Sequence, residues 1–424
     1  MAMYVVVIGG SLAGLLHGVM LTRHGYSVTI LEQDPSPARE GFDAGIMVKE
    51  EVLEFLQKHD RMKRELYVPA EGPQFNLNQD GRPKFSFVKP ASLTSWGLLM
   101  STLRANFDGR VSKAIPVTPL SDKEPDRAKF INGASVTDIK DLGEKVQVQY
   151  EDAKTESTEI LLADFVIVGS GSKASIRSIF LPEAERQYAG YIAWRGTVRE
   201  DFIEEHHKQV FLNKLTFSSV GKGFGYFVVY VIPTDDGDLT PGNRLINWVW
   251  YTPLLRDSEK LSNAMTDING TRHLGTVPRG LVHPNVWERQ QALASSVCPP
   301  CISALLNSTQ RPFVTMVEDV VKPPSQAVFY GNKVFMVGDA LNAPRPNIGV
   351  STSQAAYQCL QLEKVIRGTI SAKEWEKRVL RYSNAKRLFG VLYAELWIGS
   401  WAGFIWVLCK YIMFFVRQRF GFTG

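Results

Sequence analysis

Near its start the chain carries Gly9-Gly10-Ser11-Leu12-Ala13-Gly14, and Glu32 closes the next β-branched run, Ser27 to Leu31. The pyrophosphate of a dinucleotide needs backbone N–H groups and a helix N-terminus close by, which demands residues without bulk at the turn. Gly9, Ser11 and Gly14 supply that spacing. Ser11 replaces the usual middle glycine, yet it is small enough for close approach and can donate a hydrogen bond. A carboxylate at Glu32 suits ribose hydroxyls and disfavours a 2′-phosphate, because two negative groups would be forced together. Arg195 lies on an apolar aromatic strand, Ala193-Trp194-Arg195-Gly196, where a charge needs a partner; a structural cation stacked on Trp194 is the alternative. Tyr226 and Tyr230 share one strand face, so either phenol can hydrogen-bond a substrate oxygen or serve as an ordinary sheet aromatic. Trp248, Trp250 and Tyr251 read as wall rather than catalyst.

These residues need elements to hold them. Tyr4 to Ile8 is a short run apolar on both faces, as a central parallel strand should be, and a helical stretch then reaches His24 with Gly25 as its stop. Glu50 to His59 reads as an amphipathic helix, and the alternation from Arg110 to Ile160 suits a small antiparallel insert. Phe165 to Val168 and Val334 to Val337 are further apolar strands, closed by Gly169-Ser170-Gly171 and Gly338-Asp339; a helix starts at Ser351. Between them, Tyr191 to Val198, Phe224 to Ile232 and Arg244 to Tyr251 form a second, mostly antiparallel sheet. The expected class is α/β with α+β character: a discontinuous Rossmann-type domain over 1–75, 95–185 and 315–385, an inserted substrate-binding sheet domain over 76–94 and 186–314, and a helical tail over 386–424.

Composition bounds the function. A hydrophobic share of 45% and a charged share of 21% describe a globular enzyme-sized body. The net charge of +5 is spread without a basic run, which argues against nucleic acid. Four cysteines make no disulfide framework and suggest a reducing compartment; Cys298-Pro-Pro-Cys301 reads as two buried thiols at a helix start. A strand from Tyr4 leaves no room for a signal peptide, so a cytoplasmic protein is expected. The histidines, including the charged His206-His207 segment, show no metal-ligand spacing, and no metal is expected.

Three segments together carry a resemblance. Gly9 to Gly14 with Glu32, Gly169-Ser170-Gly171 with Ser175 and Arg177, and Gly338-Asp339 with Pro346-Asn347-Ile348-Gly349 resemble the three fingerprints of FAD-dependent aromatic hydroxylases. Thr94-Ser95-Trp96, Tyr188 to Tyr191 with Ala193 to Gly196, and Asn247 to Tyr251 resemble the 2,6-dihydroxypyridine 3-hydroxylase branch and its fungal relatives over roughly residues 1–385. The resemblance implies a monooxygenase in which NAD(P)H reduces FAD and a flavin C4a-hydroperoxide passes oxygen to an electron-rich ring, by hydroxylation or epoxidation. Residues expected at the cofactor are Gly9, Gly10, Ser11, Ala13, Gly14, Glu32, Gln33, Arg39, Gly45, Arg104, Gly338, Asp339, Pro346, Gly349 and Val350. Asp339 would bind the ribityl chain, Pro346 to Gly349 would lie against the flavin ring, and Arg195 would pair with a phenolate of a small aromatic substrate.

Three positions depart from the family pattern: Gly171-Ser172 where an aspartate and glycine are usual, Asn342 where a histidine is usual, and Ser351 for a glycine. They keep open a flavoprotein of the same fold that has given up nicotinamide-driven turnover, as an oxidase, cyclase or non-redox scaffold. A plain NAD-dependent dehydrogenase is a third reading, opposed by the distant Gly338-Asp339 pair. In the tail, Leu388 to Cys409 is 22 residues with one charge, Glu395. It is long enough to span a bilayer, while its tryptophans suit a membrane-surface, lipid-substrate-facing or dimer-forming helix and a packed helix is equally open. A monomer or homodimer is expected.

Overall fold

A computed structural model describes residues 3–36, 44–118, 127–172, 175–221 and 223–420. Tyr4–Ile8, Ser27–Glu32 and Phe165–Val168 are strands at the expected places, and Leu12–Arg23 and Glu50–His59 are the expected helices. They assemble into a six-stranded sheet in the order Val328–Phe329, Val334–Met336, Phe165–Val168, Tyr4–Ile8, Ser27–Glu32, Ala128–Asn132. All pairings are parallel except the edge pair, Val328–Phe329 with Val334–Met336. Helices cover the central strands, which is why Val5, Val6 and Val7 are fully buried. The alternating insert is a three-stranded antiparallel sheet of Ala134–Asp141, Val146–Asp152 and Ser157–Ala163.

The second sheet has eight strands and puts Arg186–Arg199, Leu245–Pro253 and Tyr226–Ile232 side by side at its centre. Only Lys214–Ser219 with Gly72–Leu77 is parallel. Strand alternation gives this sheet two faces of different use. Trp194, Trp248, Trp250 and Phe227 point to one side, where Trp287, Cys301 and Ile302 of the covering helices complete a core. Ala193, Tyr226, Val228, Tyr230, Val249 and Tyr251 point to the other side, toward the parallel-sheet domain. Cys298 and Cys301 are both free and buried, and burial pushes their thiols up to about 12 and about 11.

The tail overturns the reading of one continuous apolar segment. The Ala372–Ile398 helix stops at Gly399, and the Ser400 hydroxyl accepts from the Gly403 amide to cap a new helix, Trp401–Phe420. The second helix folds back on the first, with the Phe389 and Tyr411 rings 6.1 Å apart. Among the described residues no helix is long and apolar enough to cross a membrane. The Ala372–Ile398 helix bridges the two sheets: Trp375 donates to the Gln358 carbonyl at 3.0 Å on the parallel-sheet side, while Trp397 stacks on Tyr226 with centroids 4.8 Å apart.

Trp375→Ala removes a fully buried indole from that bridge. The expected loss is about 3–5 kcal/mol, as for other deleted core aromatics, and is checked by denaturant unfolding; a change below about 1 kcal/mol would show that the bridge is not anchored there.

Candidate active site

The glycine segments meet backbone to backbone. A Cβ on Gly14 would lie 1.9 Å from the Gly9 carbonyl oxygen, and one on Gly9 would lie 2.5 Å from the Gly169 oxygen. Gly338 is also tight, since its Cβ would meet the Ala13 methyl at 2.7 Å. The three separated motifs are therefore one structure, and only residues without side chains let them close. Glu32 fastens the turn: its carboxylate accepts from the Gly10 amide at 2.7 Å and the Asp34 amide at 2.9 Å. The carboxylate expected to serve the ribose thus also shapes the loop that receives the pyrophosphate, and its oxygens have four acceptor positions with which to do both.

A cleft of about 500 Å³ runs over this turn, lined by Gly9, Ser11, Ala13, Glu32, Gln33, Gly45, Gly169, Gly338 and Asp339. Asp339 opens the short Gly338–Leu341 helix, and its Oδ1 is shielded from solvent without a hydrogen-bond partner. Burial pushes its carboxyl up to about 6, against the pull of Arg186 and a Ser351 hydrogen bond. A cradle that a Cβ would fill and a buried carboxylate oxygen awaiting donors fit the pyrophosphate and the polyol of FAD. Gly10 and Arg104 border a neighbouring cavity of about 520 Å³ that also touches Glu32. Arg104 pairs with Asp108 at 2.7 Å and lies over the Phe130 ring. Gly14 supports the turn from behind, and Arg39 lies outside the described residues.

Beyond the cleft is a second cavity of about 330 Å³, and the two share Gly45, Ile46, Arg195, Ser351 and Thr352 in their walls. Tyr230, Asn247, Val249 and Tyr251 of the antiparallel sheet form one side, and Pro346, Gly349 and Val350 the other. Burial raises the Tyr230 phenol and pushes that of Tyr251 up to about 12, Arg195 opposing both shifts, so both stay neutral hydrogen-bonding groups near pH 7. Arg195 is half-buried and makes no ion pair among the described residues, with its Nε enclosed and unpartnered. Tyr226 is not on the wall. It stacks behind Tyr251, and its hydroxyl accepts from Asn347 Nδ2 at 2.8 Å while Tyr191 donates to Asn347 Oδ1 at 2.6 Å. These two tyrosines clamp the Pro346–Ile348 turn against the sheet, a role the period-two pattern could not reveal.

Several lining residues had no sequence signal of their own. Lys49 stands at the N-terminal boundary of the Glu50–His59 helix without capping it through its side chain, and Phe389 and Tyr393 reach the second cavity from the tail. Ser172 accepts a hydrogen bond from Arg186, and Asn342 is fully buried with neither side-chain polar atom partnered. At the surface, Glu204, His206 and His207 bring ligand-type atoms within 4.8 Å of one another, closer company than the spacing of the histidines indicated.

With this geometry in place, the likenesses to other proteins have a structural meaning. Residues 188–319 match a family model described as FAD binding domain-like. The chain is 24% identical over 387 residues to 2,6-dihydroxypyridine 3-monooxygenase of Paenarthrobacter nicotinovorans, covering 90% of this chain and 88% of that protein. It shares the fold of the 2,6-dihydroxypyridine-3-hydroxylase structure from Arthrobacter nicotinovorans, at TM-score 0.77 and 23% identity over 94% of each chain. The Klebsiella pneumoniae HpxO structure complexed with FAD and uric acid also shares it, at TM-score 0.65 and 18% identity over 97% of this chain and 92% of that one. Over nearly its whole length the chain is similar in sequence to the Paenarthrobacter nicotinovorans monooxygenase, and it shares the fold of these structures. Its cofactor is FAD, and the mixed α/β architecture with parallel and antiparallel sheets is shared with these structures.

Gly14→Ala is expected to yield protein without bound flavin, seen as loss of visible absorbance after purification; normal FAD content would refute the close approach. An ionised Asp339 is the better acceptor for ribityl hydroxyls, so FAD affinity should rise as pH rises through about 6 and flatten in Asp339→Asn. Fluorescence titration of apoprotein between pH 5 and 8 checks this, and identical profiles for the two proteins would remove Asp339 from the cofactor site.

Proposed function

We propose that the protein uses NAD(P)H and O2 to hydroxylate or epoxidise a small aromatic or electron-rich cyclic substrate held in the second cavity. The monooxygenase class rests on the likeness to a monooxygenase over nearly the whole chain; the substrate class rests on one observation, an arginine without a counter-ion among the described residues, standing where the cofactor cleft opens into an aromatic cavity. Bound FAD supplies the oxygen activation and transfer. Gly9, Ser11, Glu32 and Asp339 hold the cofactor, and the Pro346–Ile348 turn, clamped by Tyr191 and Tyr226, fixes the wall beside its ring. Arg195 favours the ionised form of a ring hydroxyl, which enriches the ring in electrons, and Tyr230 donates or accepts a hydrogen bond beside it. Val249, Phe217 and Phe389 keep water from the reacting face.

A second reading, a flavoprotein without nicotinamide-driven turnover, is favoured by the Ser172–Arg186 hydrogen bond and the unpartnered Asn342 amide at positions that depart from the family pattern. Anaerobic stopped-flow reduction by NADH and NADPH, with phenolic and indolic compounds in turn, separates the two. Flavin bleaching accelerated by one compound class supports the first reading; tightly bound FAD that no nicotinamide reduces supports the second. In Arg195→Gln, the substrate's Kd should rise about tenfold or more with FAD content intact, and unchanged binding would end the phenolate assignment.

For location we propose the cytoplasm, with the terminal helix resting on an anionic lipid surface. Trp401, Ile405, Trp406 and Ile412 are exposed beside Lys410, Arg417 and Arg419, and no acidic residue follows Glu395. Flotation with phosphatidylserine-containing vesicles, weakened by salt, is the expected result. Absence of flotation, or a concentration-dependent doubling of mass in its place, would count against lipid.

A further inference from the structure

The second cavity contains two cations and, among its described lining residues, no carboxylate. One is Arg195. The other, Lys49, donates to the Ile348 carbonyl at 2.8 Å, which leaves two of its three ammonium hydrogens for other acceptors. Lys49 makes no ion pair among the described residues. The charged groups nearest it are Lys386 on the tail helix, Lys89, and Glu51 on its own helix. That single carboxylate is engaged elsewhere, since it accepts from the Tyr382 hydroxyl at 2.7 Å. A cavity wall with two cations and, among the described residues, no carboxylate favours an anionic guest over a neutral one.

We propose that Lys49 is a substrate-anchoring residue, and that the substrate carries a second acidic group, a carboxylate or a second ionised hydroxyl, besides the one facing Arg195. This rests on the reading of the cavity as the substrate site. The alternative, that Lys49 only props the flavin-side turn through Ile348, predicts equal effects on acidic and neutral ligands. Burial and the two neighbouring lysines push the Lys49 ammonium down to about 8. Its charge, and the attraction for an acid, is therefore present below that pH and lost as pH rises through it.

The test uses the FAD-loaded full chain as wild type, Lys49→Met and Lys49→Arg, titrated with 4-hydroxybenzoate, resorcinol and phenol while flavin absorbance is followed. Lys49→Met should weaken the ligand that carries the anchored second acidic group about tenfold or more and phenol less than about twofold, with Lys49→Arg restoring the former. The benzoate and resorcinol distinguish a carboxylate from a second hydroxyl. Wild-type binding of the acid should fall through about pH 8, and Lys49→Met should show no such fall. An unchanged ratio of acidic to neutral affinity in Lys49→Met overturns the proposal while leaving the substrate site in place. Failure of every ligand to perturb the wild-type flavin overturns the substrate-site reading, and this proposal with it.

Discussion

Everything that makes this molecule a candidate oxygenase depends on how closely three stretches of backbone can approach one another. Gly14 sits against the Gly9 carbonyl, Gly9 against Gly169, and Gly338 against Ala13, at separations where a methyl group would overlap main-chain or side-chain atoms. The first strand and helix thereby lock to the loops that follow Phe165–Val168 and Val334–Met336. Backbone N–H groups and the helix start are then presented to one cleft, and Glu32 holds the turn through two amide hydrogen bonds. Without that approach the parallel sheet would still form, but its carboxyl-end loops would not converge on a ligand.

The antiparallel sheet solves a different problem with simple alternation. One face is a dry tryptophan core under two helices; the other offers Arg195, Tyr230, Asn247, Val249 and Tyr251 to the cavity. Cross-strand register makes this a patterned surface: Arg195 pairs with Val249 and Val249 with Val228, while Tyr230 pairs with Asn247. A charge tolerated in such a row needs compensation from outside the protein or from water. The Asn347 clamp then joins this face to the turn of the other domain, so the two walls of the cavity are fixed relative to one another by neutral hydrogen bonds between buried groups.

The tail completes the enclosure. Gly399 and Ser400 break what is otherwise an unbroken apolar run, and the resulting hairpin sends Tyr393 and Trp397 onto the sheet while Phe389 reaches the cavity wall. Hydropathy alone cannot distinguish a helix that buries its aromatics on a neighbouring sheet from one that buries them in lipid, because both environments reward the same side chains.

The sequence by itself determined the strands, the first helices, the glycine turn with its acidic partner and the two-lobed order of the chain. These are local: β-branched runs, caps and residues without side chains act through backbone geometry within a few positions. It also placed Arg195 and Tyr230 on cavity-facing positions, since a period of two survives translation into a sheet. Only the tertiary structure decided that Tyr226 is a clamp rather than a wall, that Glu32 is tied to Gly10 and Asp34, that Lys49 lines the same cavity as Arg195, and that the tail folds into a hairpin. Each of these depends on contacts between residues far apart in the chain, and a one-dimensional pattern carries no information about which distant surface a side chain will meet.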